Sequence, residues 1–221
     1  MILQLNSEDK YSHLVPILQG IAHELRNPIQ GLMATAAVLK LRLEGNGGAG
    51  PFLEMMLRDT ARIDDVINQL LQLIQPVQVS DSTYDVTKLL EDSIRIMSER
   101  RDVSIRFQAD QVPLIRMDIH MLGLAFREIL TNAVESGKAD VAIDVILTTE
   151  DSFVAVEIRD NGEGIAKNLL PRVFDPFVST RPRKTGIGLC IVDRVVGLHN
   201  GAVTIQSTQG MGTEVKVKLP F

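Results

Sequence analysis

Four short stretches of this 221-residue chain combine residue types at spacings that suit chemistry. In "IAHELRNPIQG", residues 21–31, His23 is followed by Glu24, and Asn27 comes four positions later. A neighbouring carboxylate can accept an imidazole proton and leave the other ring nitrogen a better nucleophile. "REILTNAVES", residues 127–136, puts Glu128 and Asn132 four apart on one helix face, oxygen ligands suited to a divalent cation that accompanies a nucleotide. "RDNGEGI", residues 159–165, ends a strand on Asp160 and then supplies Gly162 and Gly164, where backbone can approach a ligand closely. "KTGIGLCIV", residues 184–192, sets Gly186 and Gly188 at the predicted start of a helix, whose free N–H groups and dipole favour phosphate.

Each stretch also has a plainer reading: an idle surface histidine, a solvated polar stripe, glycines that merely turn the chain. Between the two glycine motifs lies "AKNLLPRVFDPFVSTRPRK", with Arg172, Arg181, Arg183 and Lys184 around "FDPF". It reads as a mobile cover whose cations meet phosphates and whose apolar anchors are Phe174 and Phe177, or else as a plain basic loop. The glycine motifs, weak singly, form a distinctive set at this separation with the Glu128–Asn132 helix upstream.

Two kinds of element must position these residues. Leu14, Leu18, Ile21, Leu25, Leu32, Leu39 and Leu43 follow the threes and fours of a heptad seam on one long helix. His23 and Asn27 then fall on the opposite, solvated face, and Pro28 predicts a kink just beyond the histidine. "GNGGAGP", residues 45–51, ends that helix. Leu53, Met56, Thr60, Ile63, Ile67, Leu70 and Ile74 form a second helix that stops at Pro76. Such a hairpin packs antiparallel but cannot cover both its seams alone, so a four-helix bundle built by a homodimer is expected.

Beyond residue 78 the pattern changes to a mixed domain. Helices are expected over 86–98, 118–136 with an Asp118 cap, and 185–198, and strands at "VSIRF", "VAIDVILTT" and "FVAVEIRD". "AVTIQS" and "TEVKVKLP" close the chain as a hairpin across "TQGMG". Strands with helices on one face make an α+β sandwich.

Composition narrows the functions. A net charge of −5 without a basic stripe argues against a general nucleic-acid binder. One cysteine excludes an intrachain disulfide, and with four histidines argues against structural zinc. Cys190 falls on the apolar side of its helix and reads as core. No apolar run approaches a membrane span and no secretory leader is evident, so a cytoplasmic location is expected.

In order, "HELRNP", "REILTNA", "RDNGEG", "FDPF", "TGIGL" and "GMGTEV" resemble the H, N, G1, F and G2 boxes and the terminal Gly-Thr element of sensor histidine kinases of two-component systems. The HELRNP motif is similar to that of the nitrogen-regulation type. The resemblance implies a dimerisation and phosphoacceptor hairpin at 9–78 and a GHKL ATP-binding domain at 79–221. It further implies that His23 takes the γ-phosphoryl group of ATP, that Glu24 removes its proton, and that the group passes to an aspartate of a response regulator. Asn27 would orient water for dephosphorylating that regulator. Asn132, with Glu128, would hold Mg2+, and Asp160 would recognise the adenine amino group. Gly162 and Gly164 would shape the nucleotide site, Lys184, Thr185, Gly186, Gly188 and Leu189 would lie at the phosphates, and Thr213 near the adenine. Three positions depart from the family pattern: Glu128 where asparagine is frequent, Lys184 where a small residue is usual, and Glu135 where a basic residue is common. Two rival readings are a scaffold hairpin with a non-catalytic second domain, and a GHKL ATPase without autokinase activity.

Overall fold

The computed structural model describes Leu25 and residues 29–40, 50–74, 82–98, 103–136, 140–181 and 184–221. These fall into two compact units, one within Asp9–Gln75 and one within Pro76–Phe221. The predicted kink at Pro28 and the turn through residues 45–49 lie outside the described residues.

In the first unit, helix α1 (residues 29–40) runs antiparallel to helix α2 (Gly50–Ile74). Ile29 and Ile67 form a buried contact to which Met33 and Leu71 add. At the other end of the pair, Lys40 Nζ lies 3.3 Å from a Glu54 carboxylate oxygen. Pro51 occupies the first turn of α2, where its missing N–H costs nothing. Thr60 is buried on the helix and its hydroxyl donates back to the carbonyls of Met56 and Leu57. Within the single chain the heptad leucines Leu25, Leu32 and Leu39 stay exposed, as do Met56 and Ile63, whereas Ile29, Ala36, Leu53, Ile67 and Leu70 are buried.

The second unit contains, in chain order, β1 (Thr83–Tyr84), α3 (Val86–Ser98), β2 (Val103–Ala109), β3 (Ile115–Arg116), α4 (Ile119–Val134), β4 (Val141–Glu150), β5 (Phe153–Asp160), α5 (Gly188–Leu198), β6 (Ala202–Thr208) and β7 (Gly212–Pro220). Strands β2-β4-β5-β7-β6 form one sheet, parallel between β2 and β4 and antiparallel elsewhere. β1 and β3 make a separate two-residue antiparallel pair. Helices α3, α4 and α5 pack side by side, and each also packs on strands of the sheet. Phe126, Leu122, Leu130, Val145, Val156 and Ile191 are fully buried. This is the expected layered α+β sandwich.

Along β5 and β7 the buried residues alternate with charged ones, as expected where one sheet face meets water. Lys216 Nζ reaches Glu150 at 2.5 Å and Glu157 at 2.9 Å, Lys218 reaches Glu150 at 2.7 Å, and Arg159 reaches Glu157 at 2.5 Å and Glu214 at 2.7 Å. Three acids and three bases thus alternate in one continuous chain across strands β4, β5 and β7.

Asp118 caps α4 as expected, its Oδ1 accepting from the N–H groups of His120 and Met121. One expected boundary is corrected. The helix predicted from residue 185 starts at Gly188, because Gly186 has φ +70° and cannot continue a right-handed helix. A Cβ at Gly186 would stand 2.6 Å from the Val178 carbonyl oxygen, so the turn also requires glycine for space.

Candidate functional site

The candidate residues of the second unit gather in two groups. The first forms where β5 and β7 end side by side. Asp160 closes β5 and pairs in register with Thr213 of β7. The Gly162 N–H donates to Asp160 Oδ1 at 2.8 Å, which fixes the carboxylate at the turn. Asn161 anchors the same turn: its side-chain oxygen accepts from Ala142 N–H at 3.0 Å and its amide donates to the Asp140 carbonyl.

Three glycines here are steric requirements. A Cβ on Gly162 would overlap the buried Ser136 side chain and come within 2.7 Å of Asp160 Oδ1. Gly164, at φ +66°, faces the Thr208 carbonyl, and Gly212, at φ +111°, faces the Asp160 carbonyl. The turn is tied down further by Glu163 N–H to Ser136 O at 2.9 Å and Gly210 N–H to Glu163 O at 2.7 Å. Ser207 Oγ accepts from Ile165 N–H at 2.8 Å and lies 2.9 Å from Thr213 Oγ1. Asp160, Thr213 and the glycines are thereby held without slack, a preorganised polar edge beside bare backbone.

The second group lies where the end of α4 meets the start of α5. Glu128 and Asn132 are one turn apart on α4. The Glu128 carboxylate occupies the space that a Cβ on Gly188 would need, so it abuts the first residue of α5. Ile187 caps that helix without a side-chain hydrogen bond. Burial raises the Glu128 pKa, opposed by the positive charge of Lys184. Lys184 forms an ion pair with Glu135, the residue that caps the C-terminus of α4, and Arg181 lies 3.9 Å from the same carboxylate. Leu189 and Thr185 flank the Gly186–Gly188 backbone, and the Thr185 hydroxyl accepts from Ile187 N–H at 3.4 Å.

In the covering segment the expected anchors need correction. Phe177 is 65% exposed, at φ +66°, and Phe174 is half-buried, whereas Val173 is buried. The Phe177 N–H donates to the Gly186 carbonyl at 3.1 Å, and this backbone bond directs the side chain outward. Arg172 pairs with Asp175 of its own turn at 3.2 Å. Cys190 is fully buried, as expected of a core residue. His23, Glu24, Asn27 and Arg183 lie outside the described residues.

Sequence reasoning did not find Asn161, Ser136, Ser207 or Gly212 as site-building residues. Asn161, Gly212 and Ser136 stand inside stretches already singled out, so a signal existed for each. Ser207 carries none, because its role depends on a contact with Ile165, distant in sequence.

Residues 117–221 match the family model "Histidine kinase-, DNA gyrase B-, and HSP90-like ATPase", and residues 17–76 match "His Kinase A (phospho-acceptor) domain". The sensor histidine kinase ZraS of Escherichia coli K12 is 27% identical over 98% of this chain and 48% of its own length. The chain therefore spans about half the length of that relative. Among solved structures, full-length ShkA in complex with AMPPNP superposes with a TM-score of 0.78 at 23% identity, covering 94% of this chain and 46% of that one. Histidine kinase ThkA in complex with response regulator protein TrrA has a TM-score of 0.68 at 16% identity, covering 97% of this chain and 64% of that one. The helical hairpin and the one-sided sandwich are the folds of these kinases. A His Kinase A domain followed by an ATPase domain of the histidine kinase, DNA gyrase B and HSP90 type makes this chain a histidine kinase catalytic core.

Proposed function

We propose that the chain is an ATP-dependent protein histidine kinase. Residues 9–78 form its dimerisation and phosphotransfer domain, and residues 79–221 its catalytic ATP-binding domain. The observation that carries this reading is the fixed Asp160 carboxylate, held by Gly162 N–H beside Thr213 at the end of the sheet. A carboxylate oriented in this way suits the exocyclic amino group of adenine, and Gly162 and Gly164 let the turn that holds it pack closely against Ser136 and Thr208. Lys184, Thr185, Gly186, Gly188 and Leu189 then bound the phosphate end, where the α5 N-terminus and the Lys184 ammonium favour anions. Glu128 and Asn132 would hold Mg2+ through their side-chain oxygens, and the ion would neutralise charge at the phosphates.

His23 attacks the γ-phosphorus as the bond to ADP breaks, and Glu24 accepts the imidazole proton. The phosphoryl group then passes to an aspartate of a response regulator, and the complex of ThkA with response regulator protein TrrA supports that class of acceptor. The AMPPNP bound to ShkA likewise supports ATP. Asn27 orients water to dephosphorylate the regulator, so the protein is both kinase and phosphatase, of the nitrogen-regulation-like HELRNP type. Leu25, Leu32, Leu39, Met56 and Ile63, exposed in one chain, supply the seam of a homodimeric four-helix bundle. No described helix is long and apolar enough to cross a membrane, and a cytoplasmic site of action fits the ATP donor.

The test is incubation with γ-labelled ATP and Mg2+. Acid-labile label is expected in the parent protein and in Asn27→Ala, and none in His23→Gln. Persistence in His23→Gln would overturn the acceptor. Asn27→Ala should also lose phosphatase activity towards the phosphorylated regulator.

A further inference from the structure

Both helix ends at the proposed phosphate site carry side chains of unfavourable sign. Glu135 puts a negative charge at the C-terminal end of α4, which is already the negative end of the helix dipole, and the last turn of α4 contains no basic residue. Lys184 and Arg181 put positive charges just before the N-terminal, positive end of α5. The two mismatches relieve each other. Lys184 pairs with Glu135, Arg181 lies 3.9 Å from the same oxygen, and the turn that brings both cations to it closes by Lys184 N–H to Arg181 O at 3.0 Å.

The side chains of Lys184 and Arg181 are 41% and 37% exposed, so an incoming anion can reach them, while the Glu135 oxygen that they share is buried beneath.

We propose that Glu135 is a built-in competitor for the nucleotide's β- and γ-phosphates. In the nucleotide-free protein its carboxylate holds Lys184 and Arg181; bound ATP takes over both cations. This rests on the nucleotide reading above and adds a specificity rule to it. A polyphosphate carries more negative charge than a single carboxylate, so it can displace Glu135, but breaking the pair costs it affinity. ATP, which reaches further towards these cations than ADP, therefore gains more from removal of the competitor, and Glu135 narrows the preference for ATP over ADP. Glu135 therefore sets the affinity without touching the nucleotide, and a role in positioning Lys184 for phosphate would have the opposite sign.

The experiment is calorimetric titration of ATP and ADP into the parent chain, Glu135→Gln, Lys184→Gln and the double variant. Glu135→Gln should tighten ATP about threefold to tenfold, an effect of the size of a partly exposed ion pair, and tighten ADP less. Lys184→Gln should weaken ATP, and in the double variant the gain from Glu135→Gln should shrink or vanish. Unchanged or weakened ATP binding in Glu135→Gln would overturn the proposal. In parallel, hydrogen exchange without nucleotide should show faster exchange over residues 179–187 in Glu135→Gln than in the parent; equal rates would also overturn it. Failure of the parent chain to bind ATP would instead refute the nucleotide reading, while the exchange comparison still decides whether Glu135 holds the segment.

Discussion

In the helical hairpin, Leu32, Leu39, Met56 and Ile63 are between 41% and 49% exposed, whereas in the sheet unit Phe126, Leu122, Leu130 and Val156 are fully buried. Both units carry an apolar face of comparable regularity. The sheet unit lays three helices over one face of its sheet and covers the other with the Glu150–Lys216–Glu157 ladder, so it closes its core within one chain. Two helices have no third layer. An α-helical stripe wide enough for a bundle must find its remaining partners elsewhere, and a second copy offers an identical stripe. The contrast teaches that the sheet unit closes its core within one chain, whereas the hairpin alone leaves an apolar stripe uncovered.

The contrast can be broken most forcefully at Phe126. Phe126→Ala should cost roughly 3–5 kcal/mol by loss of buried surface and an unfilled cavity. If the cores are independent, circular dichroism will show the sheet unit melting early and the hairpin helices persisting; loss of both in one transition would mean a shared core. Next comes the exposed seam. Ile63→Glu should cost roughly 1–3 kcal/mol per chain by placing a polar group where the dimer buries apolar surface. Sedimentation equilibrium should then show dissociation without a change in the melting of the sheet unit. An unaffected dimer would move the seam away from Ile63.

The smallest expected effect concerns acid. His199 is buried, with Nδ1–H donating to the Val195 carbonyl at 2.7 Å and Nε2 accepting from Asp118 N–H at 2.9 Å. A charged imidazole would lose that acceptor, and burial lowers its pKa below the ordinary value. The unfolded chain therefore binds the proton more readily. The contribution is complete above the unfolded pKa of about 6.5 and is lost as pH falls through the lower folded value. Acidification from pH 8 to 5 should thus lower the melting point of the sheet unit, by the equivalent of about 1 kcal/mol. His199→Gln should flatten that slope, and an unchanged slope would assign the acid sensitivity to other groups.

Much of this architecture is legible in the residues themselves. Alternation over 153–160 marks β5, the apolar period over 86–98 marks α3, and Asp118 announces α4, because each signal is local. The β1–β3 pair carries no such signal: two residues at 83–84 meet two at 115–116, and neither run is long enough to show a period. In the site, Asp160 and the glycines stand out because close backbone approach demands particular residue types. The meeting of Glu135 with Lys184 was hidden, since each looked like a separate departure from a pattern and only the fold brings them face to face. Phe177 misled because hydrophobic character suggests burial, while its backbone bond to Gly186 decides the direction of the side chain.

That bond between Phe177 and Gly186 also sets a length scale. It closes the neck of a small noose of chain, and Lys184 hangs only two residues from the knot. At about 3.5 Å per residue the lysine backbone can swing no more than roughly 7 Å while the knot holds. The ammonium therefore cannot search for a distant phosphate. On the proposed role of Lys184, the nucleotide must deliver its polyphosphate tail to within a side chain's length of Glu135, so the noose would act as a ruler for how deep the ligand has to sit.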